Sequence, residues 1–186
     1  MERWAIPLAW LVWLAIWLAM ARDVKAIAAR VGRASQRQHY LPLAIAVALL
    51  VFPIPLFPLD ARFVPAASWP PRLGLMLVIA GIALAVWARV RLAGNWSSDV
   101  TLKHGHELVV DGPYRWARHP IYTGVLLALA GTALAIGEWR AAVAAAIATA
   151  AFWRKVRLEE ALLRREFGET YADYAHRVKA LIPFVL

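Results

Sequence analysis

The 186-residue chain contains no cysteine. That excludes disulfides, a thiolate nucleophile and any cysteine-ligated metal centre. Charge is also scarce: 18% of the residues are Asp, Glu, Lys or Arg. Acidic residues are the scarcer half, 12 against 21 basic ones, for a formal net charge of +9. No internal repeat and no low-complexity linker divides the sequence. A soluble domain of this size could not cover its apolar surface with so few polar residues.

Apolar residues are abundant: 62% of the chain is hydrophobic and the mean hydropathy is +0.56. Five stretches carry no formal charge: Trp4–Ala21, Tyr40–Leu59, Leu73–Ala88, Pro120–Gly137 and Ala141–Trp153. The first four run 16 to 20 residues, close to the ~20 that cross a bilayer core as helix. The fifth has 13 and relies on Arg140 and Arg154 snorkelling at its ends or on locally thinned lipid. The expected fold class is therefore an all-α integral membrane protein. It has five transmembrane helices, an ordered cytoplasmic loop and short C-terminal amphipathic helices. One domain is expected over 1–186, with an N-terminal transmembrane hairpin at 1–72 and a core at 73–186.

The basic excess follows the loops. Alternate loops hold seventeen Lys and Arg against four, which places the N-terminus outside and the C-terminus in the cytoplasm by the positive-inside rule. In a bacterium this means the inner membrane. A pI near 10.6 thus reads as topology and contact with anionic membrane lipid, not as nucleic-acid binding. Ala19-Met20-Ala21 mimics a signal-peptidase site. Glu2 cancels Arg3, however, the apolar run of 18 is too long, and Trp10, Trp13 and Trp17 line one helix face. A permanent helix is expected.

Pro53, Pro55 and Pro58 interrupt the end of the second span, each removing a helical hydrogen bond. Either that backbone lines a cavity or the helix ends near Phe52. Gly74 and Gly81 let the third span pack closely on a neighbour. Residues 92–120 are the longest polar stretch; their β-branched residues, Gly and Asp-Gly-Pro turn predict an ordered loop with little helix. After the fifth span, Leu158, Leu162, Leu163 and Phe167 form an apolar stripe, Gly168 is a stop, and Tyr171, Tyr174 and Val178 mark a second short helix. Loop and tail share the cytoplasmic face and are expected to converge there.

The chemistry concentrates in "GPYRWARHPIYTG", residues 112–124. Gly112-Pro113 forces a turn. Pro120 pushes His119 out of helical geometry and takes its favoured place in the first turn of the fourth helix. Arg118 and His119 then stand at a helix N-terminus, where free N–H groups favour an anion. Tyr114 and Tyr122 add aromatic faces with hydroxyl tips, while Arg115 and Trp116 read as interfacial anchors. Glu159 and Glu160 lie one turn beyond the fifth span. They suit a solvated helix through the pairs Lys155–Glu159 and Glu160–Arg164, or a carboxylate site for a cationic ligand.

The run "HELVVDGPYRWARHPIYTG", followed by "RLEEALLRREFGETYADYAHRVKALIPF", resembles the isoprenylcysteine carboxyl methyltransferase family and its phospholipid N-methyltransferase relatives. The resemblance covers roughly 87–186, and upstream "AGNWS" fits the bacterial branch. It implies an integral membrane methyltransferase that uses S-adenosylmethionine, releases S-adenosylhomocysteine, and receives a lipophilic acceptor from the bilayer. By motif position, His106, Leu108, Val109, Gly112, Tyr114, His119, Pro120 and Tyr122 would line the cofactor pocket. Glu159 or Glu160 would close it from below. Arg118 would orient the acceptor or the cofactor carboxylate, and Arg118, His119, Glu159 and Glu160 are the expected catalytic set. No metal is implied.

Methyl transfer from a sulfonium needs positioning and exclusion of water more than an activated side chain. A carboxylate acceptor is already ionised at neutral pH; an amine acceptor needs a base, for which His119 or a glutamate could serve. The R-H-P-x-Y and G-x-x-Y elements also resemble the C-terminal part of membrane sterol reductases, which bind NADPH. A non-enzymatic lipid-binding bundle is the third reading. Binding of S-adenosylmethionine against NADPH separates the three.

Overall fold

A computed structural model describes residues 2–21, 27–30, 33–93, 96, 101–103 and 107–182. Five helices dominate: α1 (Glu2–Met20), α2 (Arg33–Val51), α3 (Trp69–Leu92), α4 (Pro120–Ile136) and α5 (Trp139–Arg177). Each expected span coincides with one of them. Among the described residues only α3 is both long and apolar enough to cross a bilayer by length and composition; α1, α2 and α4 contribute shorter apolar segments.

The all-α expectation needs one correction. Ile27–Arg30 (β1) and Thr101–Lys103 (β2) pair antiparallel, with Ile27 opposite Lys103 and Arg30 opposite Thr101. Two loops at one end of the bundle are thereby tied. The expected stop at Gly168 and the second short helix after it are present; what is corrected is the separation of the first tail piece from the fifth span. That piece continues the fifth span, and α5 is two helices joined at Gly168, where the backbone leaves helical geometry with φ +52°. Nothing lies within 4 Å of a Cβ placed at Gly168, so glycine is required there by backbone conformation and not by space. α2 ends at Val51, just before the three prolines.

Small residues set the packing. α3 and α4 are the closest pair and run antiparallel: Gly74 faces Gly131, and Gly81 faces Gly124. A Cβ at Gly74 would fall 2.5 Å from the Gly131 carbonyl oxygen, and one at Gly124 would fall 2.5 Å from that of Gly81. Backbones meet this closely only through glycine, and such contacts drive association where lipid removes the hydrophobic incentive. Ala46, Ala144 and Ala148 do the same between α2 and α5. Meanwhile Leu8, Leu11, Leu41, Val47 and Met76 face outward, as a hydrocarbon solvent permits.

The two N-terminal helices find different partners: α1 packs on α3, and α2 on α5. Along α1 the rings of Trp10, Trp13 and Trp17 touch in sequence, edge-on or tilted, and reach Trp96 edge-on. Trp10 Nε1 donates to Thr132 Oγ1 at 3.1 Å. Arg89, 1% exposed, closes two helix ends at once by donating to the carbonyls of Ala93 (2.8 Å) and Met20 (2.7 Å). Its guanidinium lies 4.4 Å from the Trp96 ring centre.

Candidate active site

The tail docks on the strip that precedes α4. Arg118 N–H donates to Lys179 O (2.8 Å) and His119 N–H to Ala180 O (2.9 Å). Thr123 Oγ1 donates to Leu181 O at 2.7 Å. Tyr174 Oη donates to the Tyr114 carbonyl at 2.6 Å, and Tyr114 Oη donates to Ala88 O at 3.3 Å. One tyrosine hydroxyl thus joins tail to loop and the other joins loop to α3.

His119 is the last residue before α4, with φ −124° and ψ 59°. Pro120 behind it is completely buried, as expected of a proline that forbids His119 helical geometry. The imidazole, itself buried, sits between two carboxylates: Nδ1 is 3.5 Å from Glu159 Oε2 and Nε2 is 3.4 Å from Glu160 Oε1. Its ring stacks on Tyr122 at 5.6 Å and 7°, and Tyr122 Oη donates to Glu159 Oε1 at 2.6 Å.

Arg118 grips the other carboxylate. Its Nε and Nη2 both donate to Glu160 Oε1, at 2.7 and 2.5 Å. Nη1 donates to the carbonyls of Ala175 and Val178, so one guanidinium fastens α5, the tail and the strip ahead of α4. Lys155 completes the cluster, 4.0 Å from Glu159 Oε1 and 5.2 Å from the Tyr122 ring centre. Burial alone would push Glu160 up. The nearby His119 imidazole and the Arg118 guanidinium outweigh it and hold the carboxyl at about 2. Burial also opposes ionisation of Glu159, and there His119, Lys155 and Tyr122 win, lowering it. His119 is pushed down by burial, yet the two carboxylates raise it above its ordinary value. The favoured state is two carboxylates around an imidazolium, flanked by Arg118 and Lys155.

Of the residues expected from sequence, Arg118, His119, Tyr122, Glu159 and Glu160 come together directly. Tyr114, Val109 and Tyr122 share an apolar cluster with Ala88, Ile121, Trp17 and Trp96. Gly112 lies further out. Its φ is +56°, and a Cβ there would meet the Arg91 side chain, which pairs with Asp111. Leu108 is half-buried in the same loop, and His106 lies outside the described residues. Sequence reasoning treated Lys155 as part of a solvated i,i+4 pair and passed over Phe152 and Thr123. The signal was present: Phe152, Lys155, Val156 and Glu159 recur at helical spacing and share one face.

A model of the isoprenylcysteine carboxyl methyltransferase family matches residues 74–165. Protein-S-isoprenylcysteine O-methyltransferase B of Arabidopsis thaliana is 31% identical over 120 residues, covering 63% of this chain and 61% of that protein. The Rattus norvegicus protein-S-isoprenylcysteine O-methyltransferase is 33% identical over 121 residues, covering 63% and 43%. A solved structure of a eukaryotic intramembrane Ras methyltransferase superposes with a TM-score of 0.60 at 26% identity, covering 82% of this chain and 50% of that one. The chain therefore spans between about two fifths and three fifths of the length of these relatives. The matched segment, just under half of the chain, contains the helix pair α3–α4, the strip ahead of α4 and both glutamates, and this segment is similar to the isoprenylcysteine carboxyl methyltransferase family.

Proposed function

We propose that this protein transfers a methyl group from S-adenosylmethionine to the carboxylate of a lipophilic, prenylcysteine-like acceptor. The observation that carries the choice of a carboxylate is the state of the titratable cluster. Glu160 is held at about 2, Glu159 is lowered, and His119 is raised and flanked by both. Both His119 nitrogens face carboxylate oxygens, and the two carboxylates are themselves engaged by Arg118 and Tyr122, so no lone pair in the trio is directed at an incoming amine. An acceptor that arrives already ionised needs none.

The donor fits the residues present. One buried polar atom beside the carboxylates, Tyr171 Oη, has no hydrogen-bond partner among the described residues, and His119 Nε2 has only its 3.4 Å contact with Glu160 Oε1; such atoms call for a ligand or water. His119, Tyr122 and Glu159, with Tyr114, Val109 and Pro120 behind them, would hold S-adenosylmethionine, whose cationic groups suit the carboxylate pair. When bound, this cofactor supplies an electrophilic methyl on a sulfonium. Arg118 and Lys155 supply positive charge for an acceptor carboxylate, and Tyr122 and Phe152 supply apolar walls that exclude water. Positioning and desolvation carry the rate, worth ~7–11 kcal/mol in well-oriented systems.

Five spans with the N-terminus outside and the site at the cytoplasmic end are part of the same proposal. They are supported by the seventeen-to-four basic bias between alternate loops. Aromatic pairs near each end, Trp87–Trp116 and Phe63–Trp139, suit the two interfaces. The test is label transfer from methyl-tritiated S-adenosylmethionine to S-farnesylcysteine by protein in nanodiscs. Base-labile label, a methyl ester, is expected; base-stable label on nitrogen would contradict the carboxylate assignment.

A further inference from the structure

Tyr174 lies on the short helix after Gly168, outside residues 74–165 that match the family model. Its side chain is buried, at 4% exposure. A buried ring needs no hydroxyl in order to pack, and a buried hydroxyl costs free energy unless it is bonded. This one is bonded, and the direction of the bond is fixed. A carbonyl cannot donate, so Tyr174 Oη donates to Tyr114 O, at 2.6 Å. Burial pushes the hydroxyl above its ordinary range, so it keeps its proton.

The turn at Gly112–Arg115 leaves that carbonyl to the tail. The N–H groups of Trp116 and Ala117 both donate to Pro113 O, and that of Arg118 leaves for Lys179 O. Tyr114 is itself fastened to α3 through Ala88 O. From Tyr174 the path to Arg118 is short. Val178 N–H donates to Tyr174 O at 3.0 Å and closes the last turn of the helix. The carbonyls of Val178 and of Ala175, the next residue, are the two that Arg118 Nη1 reaches. Both acceptors are therefore set by the one residue that is tied to the loop. On its other edge the guanidinium donates through Nε and Nη2, but both bonds end on a single oxygen, Glu160 Oε1. One oxygen is a pivot. A planar fork held there alone can still swing, and the Nη1 bonds to the tail carbonyls stop it.

We infer that Tyr174 is a positioning residue: by latching the tail helix to the Tyr114 carbonyl, it holds the two carbonyls that fix the plane of the Arg118 guanidinium. The inference rests on the proposed function for what Arg118 meets, the carboxylate of the acceptor. Tyr174 touches no reacting group and acts through Arg118. Loss of its hydroxyl leaves the guanidinium charged and still on Glu160, but no longer aimed, and misplacement of that kind weakens productive binding.

The experiment uses the full chain in nanodiscs and three variants: Tyr174→Phe, which keeps the ring, Arg118→Lys, and the two combined. Methyl transfer from S-adenosylmethionine to S-farnesylcysteine is followed. Tyr174→Phe is expected to raise KM for the acceptor about tenfold, the scale of one buried hydrogen bond, and to leave KM for the donor nearly unchanged. Lysine keeps the charge at 118 but has no fork to aim, so Tyr174→Phe added to Arg118→Lys should raise the acceptor KM by about twofold or less. Additive effects in that cycle, or equal losses for donor and acceptor, would overturn the inference. Amide exchange supplies a second measurement that needs no turnover. Arg118 and His119 N–H are bonded to tail carbonyls, and Tyr174→Phe should speed their exchange about tenfold without changing the α3–α4 seam. Unchanged exchange at 118 and 119 would overturn the inference. If the wild type binds S-adenosylhomocysteine but methylates no acceptor, the proposed function fails. Faster exchange at 118 and 119 in Tyr174→Phe then still supports the latch, and unchanged exchange overturns it as well.

Discussion

The two ends of the helix bundle are built alike and used differently. At each end a loop is stitched to a helix entrance by a single backbone bridge: Arg62 with Glu138 at one, Ala117 with Lys179 at the other. Each end also buries an arginine–carboxylate pair. Arg140 Nε donates to Glu138 Oε2 at 2.6 Å, and Arg118 grips Glu160. At the Arg140 end the remaining donors go to helix-terminal carbonyls. Arg140 Nη1 reaches those of Leu49, Leu50 and Phe52, where α2 stops, and Arg62 reaches Ile136, where α4 stops. Among the described residues no buried polar side-chain atom is left over at that end, whereas Tyr171 Oη and His39 Nδ1 have no hydrogen-bond partner at the Arg118 end and His119 Nε2 has only its 3.4 Å contact with Glu160. Charge at one end completes the backbone; at the other it surrounds atoms that still lack a partner.

The sharpest way to break the comparison is to remove each arginine. Arg118→Ala and Arg140→Ala both leave a buried carboxylate and loose carbonyls, and each is expected to cost about 3–5 kcal/mol of stability in denaturant titration. Only Arg118→Ala should also cost activity per folded molecule, by about 100-fold in kcat/KM, the scale of one charged donor in a preorganised site. Equal specific activity in the two variants would show the ends to be equivalent.

Next in size is the seam that joins the ends. Gly81→Ala forces a Cβ against the Gly124 carbonyl and the Ala128 backbone. About 1–3 kcal/mol of overpacking cost is expected, visible as a lower Tm. Gly168→Ala meets no neighbour and should act through backbone strain at the kink alone, about 1–2 kcal/mol, with its effect confined to tail docking.

Smaller still are single contacts. Tyr122→Phe removes the hydrogen bond to Glu159 and should cost about 0.5–1.5 kcal/mol in donor binding, without disturbing the Arg140 end. The pH response also separates the ends. His119 has a raised folded value, so its contribution is complete below its ordinary 6.5 and is lost as pH rises through the folded value. Glu160 is depressed from 4.5 to about 2, so its contribution is complete above 4.5 and lost as pH falls through about 2. The docked tail is therefore held best between 4.5 and 6.5. Thermal unfolding of His119→Gln should lose the alkaline decline and keep the acid one. In turnover, an activity that rises with pH through 6–7 would instead indicate a required base and an amine acceptor.

How much of this was legible in sequence depends on how local the cause is. His119 before Pro120 declared a helix entrance because proline restricts its predecessor whatever surrounds it. The seven-residue glycine spacing declared a close helix contact for the same reason, and Arg118, Glu159 and Glu160 were singled out by motif. For Lys155 and Glu159 a solvated pair and a carboxylate site were both open, because i,i+4 charges look the same on a wet face and a buried one; only the packing of α4 decides. The β1–β2 ladder joins residues more than seventy apart, and the separation of α1 from α2 is a choice of partners, neither of which a single sequence displays. Tyr174 showed only its helical spacing, since the carbonyl that its hydroxyl takes, that of Tyr114, is 60 residues away.

The most direct measurement is ligand-induced stabilisation of the purified protein in detergent, with S-adenosylhomocysteine and NADPH as the two ligands and wild type, His119→Ala and Arg140→Ala as the three proteins. The expected result is a rise in Tm with S-adenosylhomocysteine alone, retained in Arg140→Ala and abolished in His119→Ala. Stabilisation by NADPH, or an S-adenosylhomocysteine response that persists without His119, would contradict the placement of the donor between the docked tail and the entrance of α4.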